Sequence, residues 1–357
     1  MNARLEEGLV PADRHTAVRE YYGRILKSKN DLRTSACCSA ETPPGWLQRL
    51  MAAVPEEIRE RFYGCGSPIP LALEDRTVLD LGCGTGRDCY LLAQLTGSSG
   101  RVIGLDMTGE QLDVARRHVA AFSRRLGLPP DVLEFRQGYI EALDAAGIAD
   151  ASVDAVVSNC VINLSPDKEA VFREIRRVLK PGGELYFSDV FCDRRLPAGV
   201  QTDAVLVGEC LGGALYTEDF RRLMGKIGFE DVRSVRAAAV TVTDEKLAEK
   251  LGNARFVSRT LRAFKLPLED RCEDYGQVAV YRGTLARSPA VFELDDHHRF
   301  ERRRPLTVCG NTADMLQKTR YAPHFEVIGD RREHHGLYAC GAGSETQAQA
   351  DGGACCA

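Results

Sequence analysis

Cys160 and Cys210, with Cys65 and the adjacent Cys37-Cys38, bring thiols from four separate segments of a chain that carries thirteen cysteines. A deprotonated thiol is a soft ligand and a nucleophile, and two thiols within reach of one another can close to a disulfide. None of the cysteines is spaced as C-x-x-C, so neither a zinc ribbon nor a ferredoxin-type cluster is supported. A chain of 357 residues that opens with the charged MNARLEEGLVPADRH has neither a secretory leader nor any need of a disulfide framework, which predicts a cytoplasmic protein. Any one of these thiols, taken alone, is equally well read as a small buried hydrophobe. That is how Cys83, Cys89 and Cys192, which fall on predicted core elements, are read. His297, His298, His324, His334 and His335, with Cys309 and Cys340, lack the H-x₃₋₅-H spacing of a metal site, and the histidines read as solvated surface groups.

A second constellation is Asp80-Leu81-Gly82-Cys83-Gly84-Thr85-Gly86, placed directly after one strand and opening a helix. There, glycines let a ligand approach the backbone while the helix N-terminus faces it. The spacing is G-x-G-x-G, and Asp80 ends the strand, where a carboxylate suits an aminoacyl ammonium better than a dinucleotide pyrophosphate. About 20 residues past Gly86, Asp106 ends the next strand, where its carboxylate can accept both hydroxyls of a ribose. An adenosyl ligand with an amino-acid end satisfies both positions. Strand, loop, helix and acid in this order resemble the Class I methyltransferases, whose methyl donor is S-adenosylmethionine. The resemblance implies that Met107 lies against the adenine, that Ile140 and Glu141 line the adenine site, and that Asn159 faces the methionine part.

The elements that must position these groups follow from the patterning. From Arg76 to about Val240, short β-branched runs alternate with amphipathic segments, which is how a parallel sheet with helical crossovers reads. Strands are predicted at Thr77 to Leu81, Arg101 to Asp106, Val132 to Gln137, Val153 to Ser158 and Glu184 to Asp189. Leu112, Ala115, Val119, Phe122 and Leu126 step by three and four along a helix that Thr108 is expected to cap. A further helix begins near Asp167, and Pro181-Gly182-Gly183 should end it and turn the chain into the next strand. Ligands of open α/β sheets bind at the C-terminal strand edge, and both Cys160 and the Gly-rich stretch around Cys210 belong to that edge.

The expected architecture is therefore a doubly wound, Rossmann-like α/β sheet with additions at both ends. Residues 1–70 read as a helical lid holding Cys37 and Cys65, with Leu47, Leu50, Met51, Val54 and Ile58 at helical spacing, and 71–240 as the cofactor domain. Residues 241–285 are taken to complete the thiol site; Lys246 to Phe264 looks helical and Tyr275 to Arg282 alternates like a strand returning to the sheet edge. Residues 286–340 form a small accessory domain with a helix at Thr312 to Arg320, and 341–357 form a disordered tail ending in the Cys355-Cys356 pair. A net charge of −4 with both signs interspersed excludes a nucleic-acid-binding field, and no apolar run is long enough to cross a membrane. The partner should be a small molecule.

The cysteine stretches, with Asp80 to Asp88, Asp106-Met107-Thr108, Gly138 to Glu141, Gly182 to Asp189 and Phe256 to Ser258, resemble the arsenite methyltransferases over most of residues 20–285. By that resemblance Cys160 and Cys210 hold trivalent arsenic, Cys65 is a third ligand and relay, and Cys37 or its neighbour Cys38 pairs with Cys65 as an oxidisable couple. Tyr63 then belongs with the cofactor residues. A thiol reductant, glutathione or thioredoxin, is implied as the electron source. The chemistry agrees, since As(III) is thiophilic and a carboxylate cage would not hold it. An organic methyl acceptor would require a positioned base, for which Glu209 is the one nearby acid, and a thiol-based metalloid sensor would need no intact Asp80 loop.

Overall fold

The computed structural model describes residues 11–20, 43–62, 64 and 66–339. Its centre is a sheet in which β1 (Thr77–Leu81), β2 (Arg101–Asp106), β3 (Leu133–Gln137), β4 (Val153–Asn159) and β5 (Leu179–Cys192) lie parallel. β6 (Leu215–Tyr216) pairs with the end of β5, and the antiparallel β7 (Val232–Val240) and β8 (Phe256–Phe264) extend the other side. The strand order is β3-β2-β1-β4-β5-β8-β7. Between β1 and β4 the direction of winding reverses, and ligands of such sheets bind outside the carboxyl ends at that point.

Before the sheet come α1 (Pro11–Glu20), α2 (Gly45–Ala53) and α3 (Glu56–Glu60). Leu47, Val54 and Ile58 bury their apolar stripe with α4 (Arg87–Thr96) and α5 (Gly109–Leu126) on one face of the sheet. The opposite face carries α6 (Lys168–Val178) and α9 (Thr217–Ile227), where the rings of Phe172, Phe187, Phe191 and Phe220 pack edge to face. Two short helices, α7 (Ala198–Gln201) and α8 (Ala204–Gly208), lead from β5 toward Cys210.

Several local expectations change. Thr108 precedes α5 but makes no side-chain cap; its N–H instead donates to Asp106 Oδ1 at 2.8 Å, because that carboxylate is fixed at the strand end beside it. Helix α6 does end at Val178, yet the strand resumes at once, and Pro181-Gly182-Gly183 forms an irregularity where the β4–β5 register jumps from Val153↔Leu179 to Ala155↔Glu184. The segment 246–264 is only half helical: α10 (Glu245–Leu251) stops at Gly252, and Phe256–Phe264 is β8, paired on both sides. Its alternating branched and aromatic residues find cross-strand partners, which outweighs the helical spacing.

The strand predicted to return to the sheet edge goes elsewhere. After β9 (Glu273–Asp274), β10 (Gln277–Tyr281) is flanked by β13 (Pro305–Val308) and β14 (Phe325–Ile328) in a separate three-stranded sheet. A hairpin of β11 (Val291–Glu293) and β12 (Arg299–Glu301), helix α11 (Gly310–Gln317) and β15 (Gly336–Leu337), paired with β9, complete this unit. Tyr281, Phe292, Phe300, Tyr321 and Phe325 form its core. Buried charges fasten it to the main sheet: Glu184 on β5 binds Arg262 of β8 at 2.9 Å and also Arg320. Beside it Arg233 binds Asp231 at 2.5 Å and Asp295 at 3.1 Å. His298 belongs to this joint, 6% exposed with Nδ1 2.8 Å from Asp295, so it is not the surface group its spacing suggested.

Candidate functional site

At the carboxyl ends of β1, β2, β3 and β4 lies a cleft of about 990 Å³ including its open mouth. Asp80, Gly82, Gly84, Asp106, Met107, Ile140, Glu141, Asn159 and Cys160 all line it, so residues from four strand ends meet as the sequence predicts. Tyr63, Cys65, Cys37 and Cys38 lie outside the described residues, as do Cys340, Cys355 and Cys356.

The glycine loop has its composition for steric reasons. Gly82 takes φ +66°, and a Cβ there would stand 2.4 Å from the Val161 side chain. Gly84 takes φ +54° and a Cβ there would meet nothing, because the loop faces the open cleft. Asp106 braces the loop by accepting the Gly84 N–H on one oxygen at 2.8 Å and the Thr108 N–H on the other, and each oxygen has a further lone pair with which a hydroxyl donor could bond.

Asp80 is 3% exposed and takes a hydrogen bond from the Cys89 thiol at 3.2 Å. Burial, with Asp88 as a like-charged neighbour, raises its pKa well above the usual carboxylate range. Arg87, already paired with Asp88 at 2.6 Å, offsets this only in part, and the ammonium of an amino-acid ligand would complement the Asp80 carboxylate. Asn159 donates through Nδ2 to Gly66 O at 2.9 Å and Asp88 at 3.0 Å, while its buried Oδ1 finds no partner among the described residues. S-Adenosylmethionine fits both ends of the cleft on these grounds. Across the cleft Glu141 is fixed by Ser165 and by His15 of α1, whose Nε2 is 3.1 Å away.

Cys160 follows β4 and is 3% exposed; Cys210 follows α8 and is fully buried. The Cys210 Sγ–H donates to the Cys160 carbonyl at 3.2 Å, and both residues hold left-handed backbone, φ +57° and +63°. Cys160 is disulfide-bonded, whereas Cys210 is not in a disulfide and keeps its thiol. Of these two, Cys160 lines the cleft and Cys210 does not. Asn163 ties the pair together, donating through Nδ2 to Cys210 O at 3.3 Å and Val190 O at 2.6 Å while its own N–H donates to Asp189 at 3.0 Å.

Sequence reasoning gave no site role to Asn163, Asp189 or Asp88, although for Asp189 an acid near the end of a parallel strand was the available signal. Burial pushes the Cys83 thiol up to about 11, and Cys89 likewise rises, so both stay protonated and act in packing and hydrogen bonding. Glu209 is fully buried beside Cys210 and does not line the cleft.

Known proteins resemble this chain along most of its length. A methyltransferase domain model matches residues 73–228, and a domain of unknown function matches 268–353. The arsenite methyltransferase of Aquipseudomonas alcaligenes is 54% identical, covering 94% of this chain and 97% of its own length. The human arsenite methyltransferase is 42% identical over 88% of this chain and 84% of its own. Among solved structures, CrArsM from Chlamydomonas reinhardtii, an arsenic(III) S-adenosylmethionine methyltransferase, superposes with a TM-score of 0.80 at 52% identity, covering 83% of this chain and 100% of that one. With its glycine loop, strand-end acids and paired left-handed cysteines in place, the chain belongs to the arsenite methyltransferases, a family of S-adenosylmethionine-dependent enzymes on the Class I methyltransferase fold.

Proposed function

We propose that Cys160 and Cys210 are the thiols that hold trivalent arsenic for methylation, and that the enzyme acts in arsenic detoxification on arsenite and methylarsenite. The observation that carries this reading is the Cys210 Sγ to Cys160 carbonyl contact at 3.2 Å, at the edge of the cleft that accommodates the methyl donor. Each As–OH group exchanges with a thiol to give an As–S bond and one water, so ligation needs no net proton acceptor. When bound, S-adenosylmethionine supplies a sulfonium methyl group that arsenic accepts with its lone pair. Asp80 orients the amino-acid end of the donor, Asp106 the ribose, and Met107, Ile140 and Glu141 the adenine. Alignment of the two reactants is then the main contribution of the protein. Residues 241–285 support the site through β8, where Thr260 Oγ1 meets Ser188 Oγ at 2.7 Å.

Methyl transfer leaves arsenic pentavalent. Two cysteine thiols closing to a disulfide supply the two electrons that return it to the trivalent state, and we assign that role to Cys65 with Cys37 or Cys38. Cys65 also serves as the third ligand, and Tyr63 flanks the donor. Two external thiols, from glutathione or thioredoxin, reopen the disulfide. Cys160 is disulfide-bonded in this structure, so in this reading its disulfide must be reduced before the thiol can take arsenic. None of the described helices is long and apolar enough to cross a membrane, and thiol-dependent turnover suits the reducing cytoplasm.

The test is methyl transfer from labelled S-adenosylmethionine to arsenite with excess thiol, comparing wild type with Cys160→Ser and Cys210→Ser. Labelled methylarsenicals that disappear in both variants while donor binding persists are expected. Undiminished product in either variant would remove that cysteine from the ligand set.

A further inference from the structure

Helix α1 touches both halves of the site. His15 and Val18, three residues apart and therefore on one helical face, both line the donor cleft. His15 Nε2 stands 3.1 Å from Glu141 Oε1, and its ring lies 4.6 Å from that of Tyr139, which is 41% exposed. Val18 is buried in the apolar cluster that holds Cys160, Leu164 and Cys210. The helix thus spans from the segment after β3 to the thiol pair.

Ten residues are too few for a helix that is stable by itself, so α1 depends on what it docks against. Burial of Val18 and the His15–Glu141 hydrogen bond favour docking. Arg14 opposes it. Docking brings this side chain against Gly213, where a Cβ would come within 3.0 Å of Arg14 Nη2. Its Nε and Nη2 are buried with no hydrogen-bond partner among the described residues, and that burial lowers its pKa. Lys168, lowered to about 8 by its own burial and by the Arg14 charge, is a like-charged neighbour. A guanidinium taken out of water without a partner disfavours the state that buries it.

Building on the reading of the cleft as the donor site, we infer that α1 is a weakly docked cap over bound donor, with His15 as the positioning residue that latches it through Glu141 and Arg14 as the residue that loosens it. Docked, the helix retains the donor and covers the cleft beside Cys160. Released, it lets the demethylated donor leave and a fresh one enter, an exchange that every methyl transfer requires. The opposing contributions of His15 and Arg14 keep the two positions close in free energy, as an element that opens in each cycle needs.

The test follows release of labelled S-adenosylmethionine from the full-length enzyme during a chase with unlabelled donor. In His15→Ala the release rate should rise about tenfold, the loss of one hydrogen bond to a carboxylate. His15→Gln, whose side-chain N–H can still reach Glu141, should restore most of the retention, whereas His15→Phe, which keeps only a ring against Tyr139, should not. Arg14→Met removes the buried charge and keeps the stem, so release should slow severalfold. Hydrogen exchange within residues 11–20 gives a readout independent of turnover: donor should slow it in wild type and less so in His15→Ala. Unchanged release in His15→Ala, no restoration by glutamine, faster release in Arg14→Met, or exchange in α1 that ignores donor would each overturn the cap while leaving the donor cleft intact. If Asp106→Ala binds donor as tightly as wild type, the donor lies elsewhere and the reading of the cleft itself falls.

Discussion

Cys160 and Cys210, fifty positions apart, both stand in left-handed backbone, and the thiol of the second donates to the carbonyl of the first at 3.2 Å. A residue with a Cβ costs about 1–2 kcal/mol in this conformation, and it persists only where the surroundings fix it. Here Asn163, anchored by Asp189, supplies that constraint.

At position 210 strain and function should therefore separate. Cys210→Gly is expected to abolish arsenite methylation, yet to be more stable than Cys210→Ala by about 1 kcal/mol, since only glycine accepts φ > 0 freely. Urea denaturation of the two variants checks this; equal stabilities would mean that the left-handed turn relaxes once the thiol is gone.

Removing the carboxylate of Asp106 should weaken donor binding severely. Two charge-assisted hydrogen bonds at roughly 1.5–3 kcal/mol each correspond to at least about a hundredfold in Kd. Calorimetric titration of S-adenosylmethionine into Asp106→Ala, with thermal melting of the free protein as the folding control, measures it. An unchanged Kd would place the ribose elsewhere.

Asp189 gives stability a pH dependence of predictable sign. Burial pushes its carboxyl from the ordinary 3.8 up to about 7, with backbone N–H donors and Lys168 opposing. The folded state then holds a proton that the unfolded state has released, so this group's contribution is fully present below about pH 4 and is lost as pH rises through 7. Asp189→Asn should lose this slope and gain stability relative to wild type between pH 5 and pH 8. Denaturation midpoints at those two values decide, and parallel curves would refute the shifted carboxyl.

Glu184 holds the accessory unit to the sheet with two buried arginines, Arg262 and Arg320. Neutralising it as Glu184→Gln leaves both cations underpaired and should cost about 3 kcal/mol. A loss below about 1 kcal/mol in chemical denaturation would indicate that water reaches the joint.

Much of the cofactor cleft was legible in the sequence because it is local. A strand that ends in Asp80, a glycine turn and a helix start occupy one continuous stretch, and Asp106 repeats the logic one strand later, so periodicity and turn chemistry sufficed to place them. Cys160 could be placed at the sheet edge for the same reason. Only the tertiary structure decided what depends on pairing between distant segments. Phe256–Phe264 became a strand because β5 and β7 offered partners on both sides, and Gln277–Tyr281 left the main sheet for strands of the accessory unit. His298 was drawn into the core by Asp295 and Arg233, and Asn163 was aimed at Cys210 by a carboxylate 26 positions away. No local signal encodes such contacts, because their free energy comes from burial and hydrogen bonding that exist only once the chain has closed on itself.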